Sequence, residues 1–452
     1  MPELVRTLRQ RDLLLLFVGS VIGSGIFRTP GPILRQVGGS VGIALLVWIF
    51  GGVLSLLGAL TYAELAASNP EAGGLYCYIR DGFGRAPAFL YGWCLFLVIA
   101  SGSVAALARA FSEYFAQIIP VSHALQTFVA VVVIAVVTAV NAWGTRKSSD
   151  LQNWTTLIKA GVIVILSVVL LALGRHAAEI APAMGGTQHG SLFSSFGLAM
   201  IAVLWAYEGW QFGTYSAGEV IDPQKAFPRA FLAGALVLIG LYLLALMAYL
   251  VALGPAATAA SETIAATSVS AVLGSWAGKV VALTILVSTF SAANSVILTA
   301  PRVFYAMAND NLFFKKLAVV HPNFQTPVFA IVALGVWSAV LVCAGELGSF
   351  QKLIEGVIFI GWIFYGLGAA AIFPIRRAGG SKPVPYRVPG YPWTPTLFVL
   401  AAGAIVGNAI FLAFHDPDQF RNLTTAIVIF VIGLPAYLFW REQSGKPVAS
   451  GE

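Results

Sequence analysis

Gly23-Ser24-Gly25-Ile26-Phe27 lies in the middle of an apolar run from Leu13 to about Val37. Two glycines so close together weaken a helix by about 1 kcal/mol each relative to alanine. In water the stretch reads as a loop. In a bilayer it reads as a helix that is deliberately broken, because non-helical backbone survives at that depth only where it lines a cavity. The freed groups then become ligands. The N-terminus of the second half-helix suits a carboxylate, and the carbonyls ending the first half-helix suit a cation or an ammonium. An amino acid carries both charges.

The rest of the chain agrees with a bilayer setting. Of 452 residues, 58% are hydrophobic and only 10% charged, against about 25% charged in soluble domains. A mean hydropathy of +0.85 leaves no room for a sizeable soluble domain. Twelve apolar segments follow one another, at about 12–37, 41–68, 86–119, 125–144, 149–173, 193–221, 227–253, 272–308, 327–344, 348–374, 394–414 and 420–440. Most reach the roughly 20 residues that a membrane helix needs. None alternates in the roughly ten-residue units of a membrane β-barrel. The first is too long for the apolar core of a cleaved signal peptide, and none is expected.

Most of the 26 lysines and arginines fall in the loops that share a side with the N-terminus, among them Arg6, Arg80, Arg146, Lys315 and Arg376. That bias predicts both termini in the cytoplasm and accounts for the net charge of +7 without a nucleic-acid partner. Cys77, Cys94 and Cys343 have no metal-type spacing, so neither a disulfide framework nor a metal site is expected. No cofactor is called for. His123, His176, His189, His321 and His415 all fall in loops or at segment ends, away from any catalytic spacing. Nothing resembles the charged rings or repeated filter of a channel.

A second break, Ala206-Tyr207-Glu208-Gly209-Trp210, interrupts segment 6. Segments 1 and 6 open two five-helix halves, about 12–173 and 193–374. An odd helix number makes the second half inverted relative to the first. Two interrupted segments at matching positions point to a transporter site between them. The expected fold is an all-α membrane protein of twelve transmembrane helices, with a 5+5 inverted repeat like that of LeuT. Residues 12–374 would form the transport core and 394–440 two further helices, with 1–11 and 441–452 as cytoplasmic ends. The substrate-binding set predicted from the breaks is Ile22, Gly23, Ser24, Gly25 and Ile26, with Trp205, Ala206, Tyr207, Glu208 and Gly209. Small residues also let membrane helices pack closely, but the matching break favours a site.

Several motifs then carry a resemblance. They are the Gly23–Phe27 stretch with Thr29-Pro30, Gly58-Ala59-Leu60-Thr61-Tyr62-Ala63-Glu64-Leu65, Glu71-Ala72-Gly73-Gly74-Leu75-Tyr76, the stretch from Trp205 to Trp210, Glu219-Val220-Ile221-Asp222-Pro223, and residues 302–327. Together they resemble the amino acid–polyamine–organocation superfamily, and within it the L-type amino acid transporters of bacterial type. The similarity spans nearly the whole chain. It implies alternating access in the cell inner (plasma) membrane and sodium-independent exchange or facilitated uptake of L-amino acids, neutral ones first. A proton-coupled importer of cationic amino acids or polyamines is the alternative. Relatives that pair with a glycoprotein heavy chain carry a cysteine between helices 3 and 4. Residues 115–125 hold none, so no disulfide-linked heavy chain is expected.

Charged residues inside segments need explaining. Lys159 sits mid-segment, ten residues past Ser149, or about 15 Å of helix, where a charge costs about 2.5–3.5 kcal/mol. The resemblance implies that its amine replaces the sodium ion of coupled relatives, bridging segment 1 carbonyls to the segment 8 hydroxyls Ser288 and Ser291. It also implies that Trp205 is a gating lid. Interior packing is the plainer reading of Trp205. Glu208 has no lysine or arginine within ten residues. It is therefore protonated and hydrogen-bonded, in contact with a substrate cation, or a proton carrier. Arg109 and Glu113, four apart on one helix face, are expected to pair. Glu64, Glu219, Asp222 and Arg302 are expected to form ionic locks on the cytoplasmic side.

Overall fold

The computed structural model describes residues 4–181, 183, 192–344, 350–379, 385–414 and 417–444. Residues 1–3 and 445–452 of the expected cytoplasmic ends lie outside them. Among the described residues there is no strand, only an isolated parallel bridge between Leu8 and Val220.

Apolar length and glycine or proline punctuation set the elements. The first segment is three pieces: α1 (Gln10–Val21), α2 (Gly25–Arg28) and α3 (Pro30–Gln36). Next come α4 (Val41–Ser68), the short α5 (Leu75–Phe83), and α6 (Arg85–Cys94), which runs through a π-helical turn, Leu95–Ile99, into α7 (Ala100–Ile118). Then α8 (His123–Ala142), α9 (Thr145–Leu173) and the single turn α10 (Ala177–Ile180) lead to α11 (Leu192–Ala206). A 3-10 segment, Phe212–Glu219, separates α11 from α12 (Pro223–Ala260). The second half continues with α13 (Ile264–Leu273), α14 (Ser275–Thr299), α15 (Pro301–Asn309), α16 (Val328–Cys343), α17 (Phe350–Ala370) and α18 (Ile372–Gly379). It closes with α19 (Trp393–Ala413) and α20 (Pro417–Ser444).

Ser40 and Ser122 cap α4 and α8 through their hydroxyls, as serine at an N-cap does. The segment expected to end at 253 continues as helix to Ala260, but Gly254 at φ +76°, followed by Pro255, bends it there. Among the described residues, ten helices are long and apolar enough to cross a membrane. The expected segments 6 and 9 appear instead as shorter apolar helices, Ser195–Ala206 and Val328–Cys343. The first is short because the break falls inside it.

The packing repeats between the halves. α4 lies against α12 and α7 against α14; each pair maps onto itself when the first five spans are exchanged with the second five. Where α9 packs on α14, α17 packs on α7, and where α1 meets α9, α11 meets α17. Large apolar side chains face outward, among them Phe128, Trp154, Ile165 and Phe411, while polar ones such as Gln152, Lys159 and Asn294 are buried. A protein in water would not present so much contiguous apolar surface. This is a multi-pass membrane protein.

Candidate substrate and cation site

α1 stops at Val21 because Ile22 leaves the helical region at ψ 87°. The Gly23 N–H then turns back to the Val21 carbonyl, at 2.8 Å, so the Gly19 carbonyl loses its helical donor. The Lys159 Nζ fills the gap, donating to the Gly19 and Ile22 carbonyls at 2.6 Å each. The Ser288 hydroxyl, 3.0 Å from both the Ile22 and the Gly23 carbonyl, points at the same cluster. Lys159 is fully buried. It is held there by the inward stripe of α9, which also carries Ser148, Gln152, Thr156 and Ser167 at helical spacing. Its partners are carbonyl dipoles; among the described residues no carboxylate forms a salt bridge to it. Ser291, expected beside it, instead accepts from Thr155 on α9 at 2.9 Å. Three residues along α14 turn it about 60° away from Ser288.

The second break crosses the first in direct contact. A Cβ on Gly25 would stand 2.5 Å from the Cα of Ala206, so only glycine fits. Gly209 takes φ +116°, with the Ser20 carbonyl 2.8 Å from where its Cβ would be. Side chains tie the breaks together. The Ser20 hydroxyl reaches the Gly209 carbonyl at 2.9 Å. The Tyr242 hydroxyl on α12 sits 3.1 Å from the Val21 carbonyl and 2.9 Å from that of Ala206. Neither tie was foreseen. The signal for Tyr242 is that a phenol deep in an apolar helix needs a partner.

Between the breaks lies a small cavity. Gly23, Ser24 and Gly25 form one wall, Trp205 and Glu208 another, and Ser103 and Leu107 of α7 a third. The other predicted binding residues do not line it. Ile22 and Gly209 offer their carbonyls to Lys159, Ser288 and Ser20, and Ala206 packs under Gly25. Ile26 is fully buried. Tyr207 turns away to rings of Trp48 and Tyr242, 6.0 and 5.0 Å off. Glu208 is buried, and its Oε1 accepts from Tyr365 Oη at 2.6 Å and Gln211 Nε2 at 2.7 Å.

A larger vestibule of about 190 Å³ lies on the α2–α3 side, bordered by Arg28, Gln36 and Glu262. Trp205 borders both chambers, and its indole N–H is 3.4 Å from the Ser24 hydroxyl. The expected Arg109–Glu113 pair does not form. Glu113 binds Arg28 at 2.6 Å, whereas Arg109 donates to Thr127 Oγ1 and the Val342 carbonyl. Spacing on one face permits a pair but does not outbid a better partner on a neighbouring helix.

The opposite side is shut. Arg302 grips Glu219 with two bonds, 2.7 and 3.1 Å, both residues being buried, and Thr145 completes the triad. Arg376 holds Glu64 at 2.6 Å through two nitrogens, and Glu64 also takes the Val388 N–H. Among the described residues Asp222 makes no ion pair; it begins α12 in a left-handed conformation. Among the described residues no cluster suits a metal ion.

The sequence is similar to known transporters along most of its length. The profile of the family described as amino acid permease matches residues 8–434. The serine/threonine exchanger SteT of Bacillus subtilis (strain 168) is 30% identical, over 96% of both chains. The b(0,+)-type amino acid transporter 1 of Mus musculus is 31% identical, over 99% of this chain and 92% of its own. The large neutral amino acids transporter small subunit 2 of Rattus norvegicus is 32% identical, over 95% and 80%. With two broken helices enclosing a cavity and this likeness along its whole length, the chain belongs to the amino acid permease family of the amino acid–polyamine–organocation superfamily, and is a transporter rather than an enzyme.

Proposed function

We propose that the chain is a sodium-independent exchanger of L-amino acids, working by alternating access with both termini in the cytoplasm and without a disulfide-linked heavy chain. The carrying observation is the Lys159 amine on the Gly19 and Ile22 carbonyls. The Lys159 nitrogen occupies the position where a coupling cation would otherwise sit, with Ser288 as the co-ligand from α14. The α-carboxylate meets the N–H groups and hydroxyl at Ser24 and Gly25, where the helix dipole favours an anion. The α-amine meets the carbonyl ends of the breaks, where the helix dipole favours a cation. Trp205 closes the outer vestibule over the bound substrate.

Glu208 favours a second reading of the side-chain preference. A carboxylate on the cavity wall suits a cationic side chain as well as a neutral one. Counterflow in proteoliposomes tests the whole. Labelled leucine or lysine should enter faster when unlabelled amino acid is inside, equally with sodium or with choline outside. Uptake that requires a sodium gradient, or that shows no trans-stimulation, refutes the proposal.

A further inference from the structure

Beneath Glu208, on the side that holds the N-terminus, the interior is unusually rich in buried phenols. Tyr62, Tyr78, Tyr91, Tyr215 and Tyr365 are all at most 1% exposed. Phenylalanine would fill such space without needing partners; a buried hydroxyl calls for one, and that of Tyr78 has none among the described residues. They form a column. Tyr365 Oη donates to Glu208, and the Tyr62 hydroxyl donates to the Tyr365 carbonyl at 2.8 Å. The Tyr62 and Tyr78 rings lie 6.1 Å apart. The Tyr91 and Tyr215 hydroxyls meet at 2.5 Å. Two hydroxyls carry two hydrogens, and only one can lie between them. The second is left for a third group.

Two more polar atoms in the same stretch are unmet. Gln211 Oε1 and Ser216 Oγ are buried without a hydrogen-bond partner. Both belong to the irregular backbone after the break, and Ser216 interrupts the 3-10 segment with non-helical angles. Mid-span 3-10 backbone marks a hinge. The column ends against α5, where the Gly73 N–H binds the Tyr215 carbonyl and Tyr76 binds Asp310 beside Arg80 at the charged rim.

We infer that this column is a second, transient substrate subsite on the way to the N-terminal side, taking the side-chain amine or hydroxyl of an amino acid as it leaves Glu208. The inference rests on the amino-acid exchange proposed above. When the inner side opens, the Tyr91–Tyr215 pair parts and its hydroxyls, with Ser216 and Gln211, line the exit. An ammonium passing Glu208 then meets acceptor oxygens rather than bare hydrocarbon.

The test uses the full chain in proteoliposomes of determined orientation, with lysine and leucine counterflow measured separately from each face. Tyr91→Phe and Tyr215→Phe keep the rings and remove one hydroxyl each. Lysine KM from the N-terminal face should rise about tenfold, as for one lost hydrogen bond to a charged group, with leucine much less affected. The KM from the opposite face should stay within about twofold, since the binding cavity is untouched. Ser216→Ala removes an oxygen with no partner in the closed state. It should leave thermal stability unchanged or improved while raising the same one-sided lysine KM. Equal changes at both faces, or no change in Tyr91→Phe and Ser216→Ala, overturn the column while leaving amino-acid exchange standing. Wild-type protein without counterflow of any amino acid overturns the exchange reading and the column together.

Discussion

Lys159→Ala separates a residue that holds the protein together from one that sets up its site. The substitution removes two hydrogen bonds of 2.6 Å from an ammonium. Bonds to charged groups contribute about 1.5–3 kcal/mol each. Against them stands the roughly 2.5–3.5 kcal/mol that a lysine costs at this depth. The two nearly cancel, so overall stability should change by less than about 3 kcal/mol. The local account is different. Ile22 keeps Ser288, but the Gly19 carbonyl has already lost its helical donor and is left unpaired. An unsatisfied buried acceptor costs about 1–3 kcal/mol. About 2 kcal/mol against the broken geometry is roughly a thirtyfold smaller population of the binding-competent form. Counterflow kcat/KM should therefore fall about thirtyfold, with a thermal midpoint only slightly moved and no sodium dependence acquired. Wild-type kcat/KM in Lys159→Ala would refute the reasoning. So would a collapse in stability that alone accounts for lost transport.

Gly25→Val should abolish substrate binding in a thermal-shift screen of the common amino acids, because even a single Cβ meets the Ala206 backbone at 2.5 Å; transport at normal rates would put the site elsewhere. Glu208→Gln keeps an oxygen for Tyr365 and removes the charge, so lysine uptake should drop by about tenfold while leucine changes little, and the pH profile of uptake between pH 5 and 8 should flatten. Identical selectivity and pH curves would make Glu208 structural. Arg302→Ala strands a buried carboxylate at Glu219, which costs about 3–5 kcal/mol in the closed form. It should favour opening on that side, read as faster labelling of a cysteine placed at Ser216.

Hydrophobic runs and glycines are local signals, and the features they govern were legible. Most of the twelve segments lie within a few residues of the helices observed; α11 stops at Ala206, well short of the expected 221, and α12 extends past its Gly254 bend. Both breaks fall where paired small residues interrupt apolar sequence. A lysine in mid-segment was conspicuous for the same reason. What the breaks look like inside was not legible. Which of the ten predicted residues face the cavity depends on how two irregular stretches cross, and five turn out to serve through backbone carbonyls or packing. The partners of Arg109, Glu113 and Ser291 were misjudged because the choice among neighbouring helices is made in three dimensions. Tyr242 touches residues more than thirty positions away, beyond any periodicity.

The single tryptophan shared by two chambers has a kinetic consequence. On the α2–α3 side, the Trp205 ring borders both vestibule and cavity. On the other side, Arg302–Glu219, Arg376–Glu64 and the tyrosine column all stand in the way. Ring reorientation is fast, on the order of nanoseconds to microseconds, whereas helices that must separate buried ion pairs move in microseconds to milliseconds or slower. With Trp205 as the gate proposed above, substrate on the vestibule side samples the cavity many times for each crossing. Entry there stays close to equilibrium, and turnover is governed by how often the deep side unlocks.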